Sequence, residues 1–190
     1  MLLVDFRGVG GSSGNTTTVG VREAEDVAIA VNYTRSLDLK RPIVLYGVSM
    51  GTAAILKAVA QKKVNPDAIV LELPFTRLLD AVRSRLKARK IPTFPMAELV
   101  VFWGGVQHGF NGFVHNPVMD ARQARCPVLL LYGKRDRWTT ESEIDRIFNN
   151  FQGIKQKVVF PKAGHDLLVT ADRKLWVQSI DRFLEQIENS

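Results

Sequence analysis

A single cysteine, Cys126, stands among the 190 residues, so no internal disulfide can staple the fold. It precedes Pro127 at the mouth of an apolar run, a setting for a small buried thiol rather than a nucleophile. Histidine is scarce too. His108, His115 and His165 are scattered and show no ligand spacing of the zinc kind. No metal and no cofactor is implied. No apolar run approaches the roughly 20 residues needed to cross a bilayer. Met1 opens directly into Leu2-Leu3-Val4-Asp5, without a basic leader or a cleavage site, so the expected compartment is the cytoplasm. Internal repeats and low-complexity segments are absent as well.

What is present fits an ordinary globular domain. Hydrophobic residues make up 46% and charged residues 24%, and the length suits one domain over residues 1–190 with a substantial core. Basic residues number 26 against 19 acidic, a formal charge of +7. Much of that excess lies between Arg77 and Lys90, in Arg83, Arg85, Lys87, Arg89 and Lys90. Leu78, Leu79, Val82 and Leu86 recur there at helical spacing, which predicts an amphipathic helix with a basic outer face. No aromatic residues interleave with the charge and no nucleic-acid motif occurs, so nucleic acid is not the expected partner. A solvated face is the plain reading of helix 77–90, and contact with an acidic membrane surface the minor one.

Short apolar runs alternate with amphipathic stretches, the pattern of a parallel sheet covered by helices. Strands are expected at Leu2–Asp5, Ile43–Tyr46, Ala68–Leu73, Val128–Tyr132 and Lys157–Phe160. Helices are expected around Val21–Val31 and over Gly51–Lys62, Glu141–Phe151 and Asp172–Ile187. Between Pro74 and Arg125 the alternation fails. An excursion of this size between two strands, residues 74–125, reads as a lid or substrate-facing insertion.

The chemistry concentrates at three strand ends. Gly47-Val48-Ser49-Met50-Gly51 is a G-x-S-x-G pentapeptide placed directly after a strand and directly before a helix. That context makes a nucleophile elbow, a strained turn that lifts the serine hydroxyl off the sheet edge. The helix N-terminus beneath it points N–H groups at a developing oxyanion, Met50 giving one of them. A serine hydroxyl needs a base, and the base an orienting acid. Asp136 follows the strand Val128–Tyr132 and His165 follows Lys157–Phe160, the Ser–Asp–His chain order. Both fall outside the carboxyl ends of strands, where open sheets bind their ligands.

Other titratable residues compete for these roles. His108 and His115 lie in the excursion, attached to no strand end, and read as surface or lid residues. Asp166 adjoins His165 too closely along the chain to turn back and orient its ring. Glu72, within an earlier strand, is the alternative acid.

These residues resemble the α/β-hydrolase superfamily, and within it bacterial esterases and S9- or S33-type peptidases. Asp5-Phe6-Arg7-Gly8-Val9-Gly10 is similar to the D-x-R-G-x-G loop after the family's fourth strand, and Cys126-Pro127-Val128-Leu129-Leu130 to the run leading to the acid. The resemblance implies a mostly parallel sheet with helices on both faces, and an acyl-serine hydrolase acting on an ester or related small acyl compound. A peptidase or acyltransferase would use the same triad. It also implies that the chain is truncated at its N-terminus relative to the family, since Leu2–Asp5 would then be the fourth strand. The loop after the third strand normally supplies a second oxyanion N–H, often beside a His-Gly pair, and no such pair stands ahead of Ser49, the His108-Gly109 pair lying in the excursion instead. A non-catalytic binding protein is therefore the reading from a different class.

Overall fold

The computed structural model describes residues 1–188. Strands β1 (Val44–Val48), β2 (Ala68–Glu72), β3 (Val128–Gly133) and β4 (Lys155–Phe160) form one sheet, all parallel, in the spatial order β1-β2-β3-β4. The two inner strands are Ala-Ile-Val-Leu-Glu and Val-Leu-Leu-Leu-Tyr-Gly, buried at every position. A continuous apolar run is what a parallel strand covered on both faces requires.

Alternate residues of these strands feed two cores. Ile69, Leu71, Val128, Leu130 and Tyr132 pack against helices α1 (Glu23–Ser36) and α2 (Met50–Lys62) and against Ile144 and Ile147 of a later helix. Ala68, Val70, Leu129 and Leu131 face the other way, onto Leu168 and Phe183 near the C-terminus. Helices therefore cover both faces, as expected. Ala53, Ala54 and Ala58 of α2 are wholly buried, so small side chains bring that helix down close to the sheet.

Between β2 and β3 the chain leaves the sheet. It forms α3 (Leu78–Ala88), α4 (Met96–His108), a 3-10 turn at Gly112–Val114, the short α5 (Pro117–Asp120) and a second 3-10 turn at Ala121–Gln123. The amphipathic pattern of α3 holds, with Leu78, Leu79 and Ala81 buried. Helix α4 was not legible, because Gly104 and Gly105 each lower helix propensity by about 1 kcal/mol relative to alanine. Its packing explains Gly105: a Cβ there would stand 2.5 Å from the carbonyl oxygen of Phe110, where the chain doubles back. After β3 come α6 (Glu141–Asn150), β4, α7 (Leu168–Ala171) and α8 (Arg173–Glu188). Thr140 and Glu143 close a capping box at the start of α6.

One expected strand does not form. Leu2–Asp5 is irregular, with Leu3 80% exposed. A strand exists only through a ladder, and β1 pairs with β2 alone among the described residues, leaving Leu2–Asp5 nothing to pair with. The glycine-rich loop that follows is ordered by its own contacts. The Asp5 carboxylate accepts the Gly11 N–H at 3.1 Å, and the Arg7 guanidinium pairs with Asp26 of α1 at 2.5 Å. No helix among the described residues is long and apolar enough to cross a membrane.

Candidate active site

Ser49 sits between β1 and α2 at φ 47°, ψ −106°, a backbone conformation that non-glycine residues avoid. Neighbouring contacts hold it there. Its N–H donates to the Glu72 carbonyl at 2.8 Å, and its own carbonyl accepts from the Thr52 N–H and hydroxyl at 3.0 and 2.6 Å. The two glycines of the pentapeptide are not equivalent. A Cβ on Gly47 would lie 2.7 Å from both the Gly51 carbonyl carbon and Ile55 Cδ1, whereas one on Gly51 would meet nothing within 4 Å. Only the first glycine is a steric requirement. Met50 is the first residue of α2, where helix geometry gives the N–H no intrahelical partner.

The three residues singled out at strand ends converge. Ser49 Oγ lies 3.0 Å from His165 Nε2, and His165 Nδ1 lies 2.7 Å from Asp136 Oδ2. The Asp136 side chain is fully buried and that of His165 is 13% exposed. Backbone bonds between the loops after β3 and β4 fix this meeting: Lys134 N–H donates to Phe160 O at 3.0 Å, and Arg135 N–H to Ala163 O at 2.8 Å. Gly133 permits so close an approach, since a Cβ there would come within 2.4 Å of the Gly164 carbonyl oxygen.

Asp136 is held by more than the imidazole. Its Oδ1 accepts the backbone N–H of Trp138 at 2.7 Å and of Thr139 at 3.2 Å, an Asx turn that aims Oδ2 at the ring. Trp138 also lays its indole 4.5 Å from the His165 ring, centroid to centroid. Over that indole stands the Arg85 guanidinium of α3, again at 4.5 Å. Burial lowers the Arg85 pKa from its ordinary value, and the Asp136 charge acts against that shift. Trp138 escaped the sequence analysis, although Asp-x-Trp-Thr carries the Asx-turn spacing that could have found it, and Arg85, expected on a solvated basic face, is instead part-buried over the Trp138 indole.

The competing residues Glu72, Asp166 and His115 lie outside this relay. Glu72 accepts from Tyr46 Oη at 2.8 Å, Trp176 Nε1 at 2.9 Å and the Leu168 N–H at 2.8 Å, and so ties the sheet to α7 and α8. Burial, and then the bond to Glu72, raise the Tyr46 pKa. Asp166 is exposed. Of the surface-or-lid expectation for His115 the surface half is corrected, since the residue is 1% exposed. Its Nε2 lies 2.9 Å from the Val19 carbonyl oxygen and its ring meets that of Phe75 edge-on, because the excursion returns beneath itself here. Cys126 is partly buried, and desolvation pushes its thiol up to about 11.

A further residue escaped the sequence reading. Glu23 is wholly buried and accepts from Thr17 Oγ1, the Thr18 N–H and hydroxyl, and the Gly20 N–H, at 2.6 to 2.9 Å. This clamp orders the 17–20 loop against α2, where Thr17 Oγ1 reaches Met50 Sδ at 3.2 Å. The run of threonines ahead of an acidic helix start was the available signal.

Similar proteins agree with the architecture. Residues 1–177 match the alpha/beta hydrolase family. The uncharacterized protein YqkD of Bacillus subtilis is 24% identical over 193 residues, covering 100% of this chain and 63% of its own length. Human protein ABHD12B is 38% identical over 181 residues, covering 88% of this chain and 48% of its own. The chain thus spans less than two thirds of either relative. The esterase Pf2001 of Pyrococcus furiosus superposes with a TM-score of 0.77 at 22% identity, over 96% of this chain and 68% of that one, a likeness of fold. With a four-stranded parallel sheet, a Ser–Asp–His meeting at its carboxyl rim and a family match across most of its length, the chain belongs to the alpha/beta hydrolase family.

Proposed function

We propose that the chain is a serine hydrolase that cleaves a carboxylic ester, or a related acyl compound, through an acyl-serine. The observation that carries this reading is the unbroken relay from Ser49 Oγ to His165 Nε2 at 3.0 Å and from His165 Nδ1 to Asp136 Oδ2 at 2.7 Å. Asp136 selects the tautomer with the proton on Nδ1, which leaves the Nε2 lone pair facing the serine. The Ser49 oxygen attacks the acyl carbon as Nε2 takes its proton. Negative charge then develops on the acyl oxygen, within reach of the Met50 N–H at the start of α2. The leaving alkoxide takes the proton from Nε2 and departs as the alcohol. Water, deprotonated by the same nitrogen, attacks the acyl-serine, and Nε2 returns that proton to Ser49 Oγ as the acid is released. The Arg85 guanidinium standing over Trp138 supports a lid role on this rim for the segment between β2 and β3, residues 74–125. The name of the Pyrococcus esterase supports the ester reading.

Labelling with a fluorophosphonate probe, alongside turnover of a short-chain p-nitrophenyl ester, tests the assignment. Wild type labels and turns over, Ser49→Ala does neither, and His165→Ala loses turnover with the fold intact. Absence of labelling in folded wild-type protein would favour a non-catalytic binding role.

A further inference from the structure

Helix α4 spends most of its apolar surface on solvent. Ala97, Val101 and Gly105 are buried, whereas Met96, Leu99, Val100, Phe102, Trp103 and Val106 are 42 to 62% exposed. At 100° per residue the exposed positions fill one arc of about 160°, broken only by Gln107, and the buried ones lie opposite. A helix that is apolar on every side belongs in a core or against lipid. The surface continues at both ends. Ile91 and Phe94, the latter 76% exposed, precede the helix, and a groove lined by Phe102, Val106, Phe110 and Phe113 follows it. Scattered exposed hydrophobics need no explanation, but a contiguous patch does.

The charge beside it is of one sign. Lys87, Arg89 and Lys90 are all exposed at the end of α3, immediately before Ile91, and none makes an ion pair among the described residues. The one acidic residue of α4, Glu98, is taken by Arg83. Exposed positive side chains leading along the chain into an apolar, aromatic-bearing helix face match the headgroups and the acyl layer of an anionic lipid surface. With 13 residues α4 is shorter than the roughly 20 a membrane crossing needs, so it would lie in the interface plane.

We propose that the outer face of α4, with Lys87, Arg89 and Lys90, docks the chain on an anionic lipid surface. Trp103 and Phe102, in edge-on contact at 5.3 Å, enter the headgroup–acyl boundary, and the three cations meet the headgroup charge. This goes beyond the hydrolytic reading and does not require it.

Sedimentation with vesicles of phosphatidylcholine, with and without phosphatidylglycerol, tests the proposal, using the Ser49→Ala chain in parallel so that binding is read without turnover. The expected result is association with the anionic vesicles alone, weakening as salt is raised. Neutralising Lys87, Arg89 and Lys90 to Gln together lowers partitioning about 100-fold, at roughly 5-fold per cation. Trp103→Asp lowers it by about 10-fold or more. Both variants keep the circular dichroism of wild type, so the loss is read in folded protein. Equal binding to both vesicle types, no binding to either, or unchanged binding by the variants would overturn the proposal. So would a dimer that Trp103→Asp dissolves in protein that ignores vesicles, which would assign the face to a second copy of the chain.

Discussion

Trp138 holds both other members of its corner: its backbone N–H donates to Asp136 Oδ1 at 2.7 Å, and its ring stands 4.5 Å from that of His165. The first contact comes from the Asx turn and survives any side-chain change. The second is a wall that keeps the imidazole plane aimed at Ser49. Trp138→Ala should therefore leave the acid in place and free the ring. Displacing a reacting group by about 1 Å can cost on the order of 100-fold in rate. Steady-state ester hydrolysis should show that loss in kcat more than in KM, and Trp138→Phe should recover most of it. A change confined to KM would assign Trp138 to substrate contact instead.

Asp136→Asn separates shape from charge. An asparagine fits the same buried space and can still accept the Trp138 and Thr139 N–H bonds through its oxygen. Its amide then faces Nδ1, and the imidazole must turn over its tautomer and present a proton to Ser49. A drop in kcat of about 10,000-fold is the expected scale, with circular dichroism unchanged. Loss of less than about 10-fold would exclude Asp136 as the acid.

The elbow stores strain that can be measured apart from catalysis. Ser49 at φ 47° costs on the order of 1–3 kcal/mol that a glycine would not pay. Both Ser49→Gly and Ser49→Ala remove the hydroxyl, and only the glycine relieves the backbone. The glycine variant should be the more stable by about 1 kcal/mol, after its larger entropy loss on folding is counted. Urea denaturation of the two inactive proteins reads the difference. Equal stability would mean that the turn is unstrained.

What the sequence made legible was the sheet interior and the rim chemistry, because both rest on local signals. Ala68–Glu72 and Val128–Gly133 are apolar runs bounded by turns, and Ser49, Asp136 and His165 each follow such a run. Leu2–Asp5 has the same local signal and no strand results, since pairing depends on a neighbour that its own residues cannot specify. Helix α4 fails in the opposite sense: its glycines argue against a helix, and the close return of Phe110 that accounts for Gly105 is a tertiary fact. Trp138 and Glu23 were missed for a related reason. Each holds a neighbour in place from outside the Ser49–His165–Asp136 relay, one by a ring contact and the other by satisfying loop donors from a buried position.

His115 makes stability depend on pH independently of the triad. Burial, helped by the nearby Lys57 charge, lowers its pKa to about 4 from the ordinary 6.5. The folded state therefore keeps the ring neutral where the unfolded chain has already protonated it. Between those two values the unfolded state binds more protons, so stability rises with pH. The contribution is complete above about pH 6.5 and is lost as pH falls toward 4, amounting to about 3 kcal/mol at one pKa unit per 1.36 kcal/mol. Urea midpoints measured from pH 7 down to 4 should fall accordingly. His115→Asn has no proton to gain, so its curve should run flatter across that window even though it starts from a lower stability. Parallel curves for the two proteins would place the acid sensitivity in another group.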